Sequence, residues 1–137
     1  MLKIRVEQPS DFRVVEELTR DAFWNLYQPG CDEHYLLHQL RSDPDFVPQL
    51  SLVAEDNDGK IIGHIAYSYS TLKWYNNSTS VKVLTFGPVS VATHLQGKHG
   101  VGSQLVRESV KRAKDLVLPM QQSVCPAIII QGSPYYY

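Results

Sequence analysis

The chain has 137 residues, of which 43% are hydrophobic and 20% charged, and its formal net charge is −1 from 13 basic and 14 acidic side chains. This length and balance are typical of a globular domain with a single core, so we predict one domain over residues 1–137. The near-neutral charge argues against the basic surface of a nucleic-acid binder, and no apolar run reaches the roughly 20 residues that span a bilayer. We therefore expect neither nucleic acid nor a membrane among the partners.

The N-terminus and the cysteines bear on the compartment and on metal binding. The first residues, MLKIRVEQPSDF, lack the long apolar stretch of a secretory signal. Cys31 and Cys125 are too few and too far apart for a disulfide framework or a zinc site. His34 and His38 share a helix face at i, i+4, a geometry able to bind metal, but the sequence offers no evident third ligand. We predict a cytoplasmic protein with reduced thiols and no metal site.

The first third of the chain predicts one strand followed by two helices. Residues 2–6 alternate like a short strand, and Ser10 is the candidate N-cap of a helix that runs to about residue 24. The segment CDEHYLLHQLR predicts a second helix. Asp32 and Glu33 lie at its start, where a helix favours negative charge.

The middle of the chain is rich in β-forming residues. Two such runs surround Asn57-Asp58-Gly59, which is a strong hairpin signal, and VKVLTFGPVSV predicts a further strand. Gly87-Pro88 lies inside that strand. Because proline cannot donate a ladder hydrogen bond, it marks an edge, a bulge or the end of pairing.

The last part predicts a helix and a strand. The helix runs from Gly102 to about Leu116, and the residues expected on its buried face are Leu105, Val106, Ser109, Val110 and Ala113. The segment AIIIQG is typical of a buried, interior strand. The whole order predicts a mixed α/β domain with a mostly antiparallel sheet flanked by helices.

Residues 89–106, VSVATHLQGKHGVGSQLV, pass from a strand through glycines into a helix. The first N–H groups of a helix have no intrahelical acceptor, and together with the helix dipole they can bind an anion. Gly97, Gly100 and Gly102 would let the backbone approach a phosphate, and Lys98 adds charge. Taken alone, the turn fits a tight connection that serves packing equally well. It matches neither G-x-G-x-x-G nor G-x-x-x-x-G-K-[ST].

Four segments in this order, LSLVAEDNDGKIIGHIAYS, LTFGPVSV, QGKHGVGSQLV and AIIIQGSPYYY, resemble the GNAT acetyltransferases. The resemblance is closest to the YhbS-like bacterial branch and covers essentially the whole chain. It implies a GNAT-like acyl-CoA N-acyltransferase fold, in which the strand before the glycine turn and the strand after the next helix splay apart around acetyl-CoA. It also implies an N-acetyltransferase, in which a primary amine of an unidentified acceptor attacks the co-substrate acetyl-CoA directly in a ternary complex.

The resemblance further implies which residues hold the cofactor. The backbone of three strand residues would hold the acetyl and pantetheine parts, and the glycine turn would hold the pyrophosphate. The residues implied are Val89, Ser90, Val91, Gln96, Gly97, Lys98, His99, Gly100, Val101, Gly102 and Ser103. The interruption at Gly87-Pro88 fits, because free backbone groups are needed there.

Candidates for proton transfer come from the same comparison. The family often uses a tyrosine to protonate the leaving thiolate, and its pattern G-x-P-x-Y-Y maps onto residues 132–137, with Tyr137 the better match and Tyr136 next. A phenol with a pKa near 10 is suited to that step. His64 has the right unperturbed pKa for the base that deprotonates the amine, with a packing role in its strand as the alternative. Glu55 is a weaker candidate.

The sequence departs from the family pattern in three respects. There is one residue too many between Gln96 and Gly100, and ATHL lacks the proline and aromatic residue common before the turn. Relatives continue beyond the tyrosines with a helix and further strands, so the resemblance implies that this C-terminal part is missing. An apolar strand would then have an open edge, which a homodimer could cover. These departures leave an alternative open: a catalytically weak or inactive acyl-CoA-binding or interaction module with the same fold.

Overall fold

The computed structural model describes residues 2–26, 29–73, 80–97, 100–117, 119 and 127–130. The described helices and strands follow the predicted order. They are β1 (Lys3–Val6), α1 (Phe12–Phe23), α2 (Glu33–Leu40), β2 (Leu52–Glu55), β3 (Ile61–Lys73), β4 (Ser80–Val91), α3 (Val101–Val117) and β5 (Ile128–Ile129). None of the described helices combines the length and the apolar character needed to cross a bilayer.

The described strands form one five-stranded sheet in the order β1-β2-β3-β4-β5. The pairs from β1 to β4 are antiparallel, whereas β5 runs parallel to β4, with Leu84 opposite Ile128 and Thr85 opposite Ile129. α1 packs against β3 and β4 and contacts α2, while α3 packs against β2, β3 and β4. The predicted mixed α/β fold with a mostly antiparallel sheet is confirmed.

Two apolar clusters divide the core between the faces of the sheet. Because successive strand residues point to opposite faces, Leu52 and Ala54 join the larger cluster under α3, while Val53 joins the smaller one under α1 and α2. α3 contributes Val101 and Leu105 to the larger cluster, both at most 1% exposed. Burying one such aliphatic side chain stabilises the fold by about 1.5–3 kcal/mol.

The predicted hairpin between β2 and β3 is confirmed, and the chemistry of its turn explains it. One carboxylate oxygen of Asp56 accepts the backbone N–H of Asp58 at 2.9 Å and that of Lys60 at 3.0 Å. Gly59 has φ +79°, in the left-handed region that glycine enters without steric cost. The local sequence therefore fixes both the position of the turn and the register of the two strands.

β4 bulges where the sequence places Gly87-Pro88. Val89 lies opposite Ile65, but Phe86 lies opposite Tyr67, so two residues of β4 face one residue of β3. The bulge is one of the three outcomes expected for a proline inside a strand, and it is the confirmed one. It interrupts the regular ladder just before the segment that leads into the glycine turn.

The expected N-cap of the first helix is wrong. Ser10 lies inside a 3-10 turn, Pro9–Asp11, which precedes α1. Asp11 occupies the N-cap position of α1 but makes no side-chain cap hydrogen bond to that helix. Its carboxylate instead accepts the backbone N–H of Gln8 at 2.8 Å, at the start of the 3-10 turn, and pairs with Arg5 at 2.7 Å. The start of α2 agrees with the sequence, with Asp32 at the cap and Glu33 as the first helical residue.

Two expectations about burial near the C-terminal side are also wrong. Val110 is 41% exposed, because the buried face of α3 repeats every four residues through Leu105, Ser109 and Ala113. The segment AIIIQG is not an interior strand in its described part, since Ile129 and Ile130 are 45% and 39% exposed. Among the described strands β5 lies at the edge of the sheet, and its two-residue pairing with β4 leaves those side chains accessible.

Candidate functional site

As far as the structure describes the chain, the bulged half of β4 has one paired edge and one open edge. Its inner edge pairs with β3, with Val89 opposite Ile65, Ser90 opposite His64 and Val91 opposite Gly63. On its outer side, β5 reaches only as far as Leu84 and Thr85. Within the described ranges, residues 87–91 therefore have no strand on their outer side, and backbone groups there can accept an extended ligand.

Ser90 is engaged through its side chain. It is fully buried, and its hydroxyl donates to Thr19 Oγ1 at 3.0 Å, while the Thr19 hydroxyl donates to the Val15 carbonyl at 2.9 Å. This short chain of hydrogen bonds ties β4 to α1. A ligand at the outer edge would therefore meet the backbone of Ser90 and not its hydroxyl.

The turn after β4 has the conformation that its glycines allow. Gly97 and Gly100 have φ +73° and +62°, both in the left-handed region. The Gln96 side chain donates to the Val91 carbonyl at 3.1 Å and lies 3.5 Å from the Ala22 carbonyl, so it connects the turn to the ends of β4 and α1. The turn is thus fixed to the strand that precedes it.

The first turn of α3 has one side packed against the sheet and another side exposed. The first helical hydrogen bond runs from Gln104 N to Gly100 O at 2.9 Å. Val101 is buried against the sheet, whereas Ser103 is exposed. A 17-residue helix that begins in this way presents its first N–H groups and the positive end of its dipole to an anion. Lys98 and His99, also predicted here, lie outside the described residues.

His64 lies deep in the molecule, on the α1 side of β3. It is fully buried, with Nε2 3.0 Å from Ser51 Oγ and 3.3 Å from Glu7 Oε2. Because the Ser51 hydroxyl donates to Glu7 Oε1 at 2.9 Å, we assign it as the acceptor of the His64 Nε2–H. Burial lowers the pKa of His64, which favours the neutral ring. Tyr136 and Tyr137 lie outside the described residues.

Glu7 and Arg41 form a buried ion pair that the sequence analysis did not find. Arg41 Nη2 lies 2.7 Å from Glu7 Oε2, and the two side chains are 7% and 1% exposed. The other arm of Arg41 reaches Glu16 at 2.9 Å, and Glu16 also contacts His38 at 2.7 Å. Burial opposes ionisation of Glu7, but His64 and Arg41 outweigh it and lower the pKa of that carboxyl. The partners come from four separate elements, so no sequence spacing indicates them.

The remaining candidates are held in other contacts. Glu55 forms an ion pair with Arg5, which leaves it poorly placed to act as a base. His34 Nδ1 lies 3.5 Å from the thiol of Cys31. Across the described ranges, no group of three or more His, Cys, Asp or Glu side chains lies close enough together to hold a metal ion.

Known proteins with similar sequences are N-acetyltransferases. YhbS of Escherichia coli strain K12 is 28% identical over 134 residues, which cover 98% of this chain and 69% of YhbS. YjhQ of the same organism is 29% identical over 102 residues, 74% of this chain, and the matched part is 50% of the length of YjhQ. No protein-family profile matches the chain.

Solved structures agree with the sequence relatives. A GNAT family acetyltransferase from Brucella melitensis, in complex with acetyl-CoA, has a TM-score of 0.77 and 28% identity, with 100% of this chain and 79% of that protein covered. YhbS from Escherichia coli, in complex with CoA, has a TM-score of 0.74 and 26% identity, with 99% of this chain and 65% of that protein covered.

The sheet order, the helices on both faces and these likenesses define an acyltransferase fold of the GNAT type. The chain is similar to GNAT acetyltransferases in sequence and in fold, and YhbS and YjhQ are among the proteins it resembles.

Proposed function

We propose that the chain transfers an acetyl group from acetyl-CoA to a primary amine, and that residues 1–137 act as one domain. The observation that carries the proposal is the bulged half of β4, which leads directly into a turn with two left-handed glycines and then into α3. Similar proteins solved with acetyl-CoA and with CoA support this choice of co-substrate. They also favour an enzyme over a module that only binds acyl-CoA.

The donor would lie along the outer edge of β4 with its pyrophosphate at the turn. The pantetheine arm can pair with the backbone of residues 89–91 as an added strand would. The N–H groups of Val101, Gly102 and Ser103 and the backbone of residues 96–100 would hold the phosphates. A side-chain Cβ at Gly97 or Gly100 would meet no described atom within 4 Å, so the turn has room beside it.

The chemical step needs orientation more than unusual side chains. Holding a thioester and a neutral amine together removes much of the entropic barrier, and a backbone donor on the carbonyl oxygen stabilises the charge that develops there. Tyr137, with Tyr136 as second candidate, would protonate the leaving thiolate. His64 stays a proposed base, although its burial and its bonds to Ser51 and Glu7 favour a positioning role.

The proposed acetyl-CoA site can be tested by introducing a carboxylate at either of two positions of α3. Ser103→Asp puts a carboxylate in the first turn, where it stabilises the helix but repels a bound pyrophosphate. Val110→Asp adds the same charge to an exposed position further along the helix and is the matched control. Isothermal titration with acetyl-CoA should give at least tenfold weaker binding for Ser103→Asp and an unchanged Kd for Val110→Asp. Equal affinities in both variants would place the phosphates elsewhere.

Turnover is tested by release of free CoA thiol across a panel of primary amines. Release that depends on an amine supports the transferase and identifies the acceptor class. Tight binding of acetyl-CoA with no release for any amine would instead favour the binding module. The predicted homodimer is checked separately by sedimentation at several protein concentrations.

A further inference from the structure

Gly63 lies directly beneath the first turns of α3. It belongs to β3 and pairs with Val91 at the end of β4. A Cβ added at Gly63 would lie 2.8 Å from Leu105 Cδ1 and 2.9 Å from Val101 Cγ1. These separations are well below the 3.5–4.0 Å of an ordinary carbon–carbon contact. Only a residue without a side chain lets α3 approach the sheet this closely.

The atoms above Gly63 have little freedom to move aside. Val101 is β-branched and lies in a helix, where its χ1 is held near one rotamer. Leu105 can rotate its terminal methyl groups, but it is fully buried and close-packed on every side. To restore an ordinary contact, the Val101 end of α3 has to retreat by roughly 0.6 Å or more.

We propose that Gly63 is a positioning residue for the acyl donor. It sets the distance between the start of α3, which would hold the pyrophosphate, and the end of β4, which would hold the pantetheine arm. Gly63 lies against the start of α3 through Val101 and pairs with the end of β4 through Val91. In this proposal Gly63 touches no ligand itself and acts only through the positions of α3 and β4. This inference rests on the function proposed above.

The test is a double-mutant cycle read out as the Kd for acetyl-CoA. Gly63→Ala is expected to weaken binding at least tenfold, because a shift of this size lengthens the backbone hydrogen bonds to the phosphates beyond their useful range. In a Val101→Ala background the Cγ1 atom is gone and the Leu105 methyl has room to rotate. Adding Gly63→Ala there should cost less than threefold. Leu37→Ala, in the cluster on the opposite face, is the control for general loss of stability and should leave the Kd unchanged.

The outcomes separate the two proposals. If the unaltered chain does not bind acetyl-CoA, the proposed function fails and this inference falls with it. If the unaltered chain binds and Gly63→Ala binds within threefold of it, only the inference is overturned. A loss that Val101→Ala does not reverse also overturns it. If Gly63→Ala does not fold but the double variant folds and binds like Val101→Ala alone, the close approach at Gly63 is supported.

Discussion

Neutralising Glu7 is expected to destabilise the fold strongly, because it removes one of the two carboxylates that pair with the buried Arg41. At 2.7 Å and an effective dielectric constant of 20, the attraction between Glu7 and Arg41 is about 6 kcal/mol. Glu16 still holds the other arm of Arg41 at 2.9 Å, so we expect roughly half of this to appear as lost stability. The resulting loss of about 3 kcal/mol is in the range measured when a buried pair loses one member.

The change to make is Glu7→Gln, which keeps the size of the side chain and can still accept from the Ser51 hydroxyl. For a chain of this length, about 3 kcal/mol corresponds to a fall in Tm of roughly 10 °C. Urea unfolding and a thermal scan at pH 7 measure the two quantities independently.

The double variant Glu7→Gln/Arg41→Met is the control for the electrostatic argument. It removes both charges and fills the arginine site with an apolar side chain, so it should recover at least half of the lost stability. The reasoning is refuted if the single change costs less than about 1 kcal/mol. It is also refuted if the double variant is no more stable than Glu7→Gln, because the lost charge compensation of Arg41 is then not the cause.

Two further predictions concern titration and burial. Burial lowers the pKa of His64, so the unfolded chain takes up that proton more readily than the folded one, and stability should fall below pH 6.5 by up to about 1.4 kcal/mol per pH unit. His64→Gln should remove this slope between pH 7 and 5 in thermal scans, and an unchanged slope would assign it to other groups. Leu105→Ala should cost about 2–5 kcal/mol and Val110→Gln less than about 0.5 kcal/mol in urea unfolding, since only the first side chain is buried. Comparable losses would contradict the described face of α3.

Local patterns predicted the parts of the fold that local chemistry determines. The Asn57-Asp58-Gly59 turn, the helix after the glycines and an interruption of the strand at Gly87-Pro88 each follow from short-range rules about φ, missing donors and helical period. The structure then shows that the interruption is a bulge. The sequence resemblance added the acyltransferase fold, whereas the order of the strands in the sheet comes from the structure.

The predictions that were wrong concern features that depend on tertiary contacts. Ser10 has the residue type of an N-cap, but Pro9 begins a 3-10 turn one residue earlier, and Asp11 occupies the N-cap position of α1. Val110 is apolar, yet α3 meets the sheet along a narrower stripe than its pattern predicts. Composition does not reveal how wide a contact will be, because that depends on the curvature of the surface beneath the helix.

In the candidate site, too, some features could be predicted from local sequence and others could not. The glycines of the turn could be recognised because a left-handed backbone restricts residue type. The surroundings of His64 could not, since Glu7, Arg41 and Ser51 reach it from different parts of the chain. A histidine in a strand looks the same in sequence whether it meets solvent or a buried carboxylate.

The hydroxyl pair between β4 and α1 has a consequence for how such sequences can diverge. Replacing Thr19 alone by an apolar residue leaves the buried Ser90 hydroxyl without this acceptor and costs about 1–3 kcal/mol, whereas replacing both residues together can be nearly neutral. We therefore expect positions 19 and 90 to exchange residue types in concert among related chains. Substitutions at position 19 of α1 are therefore constrained by the residue at position 90 of β4, although α1 and α3 lie on opposite faces of the sheet.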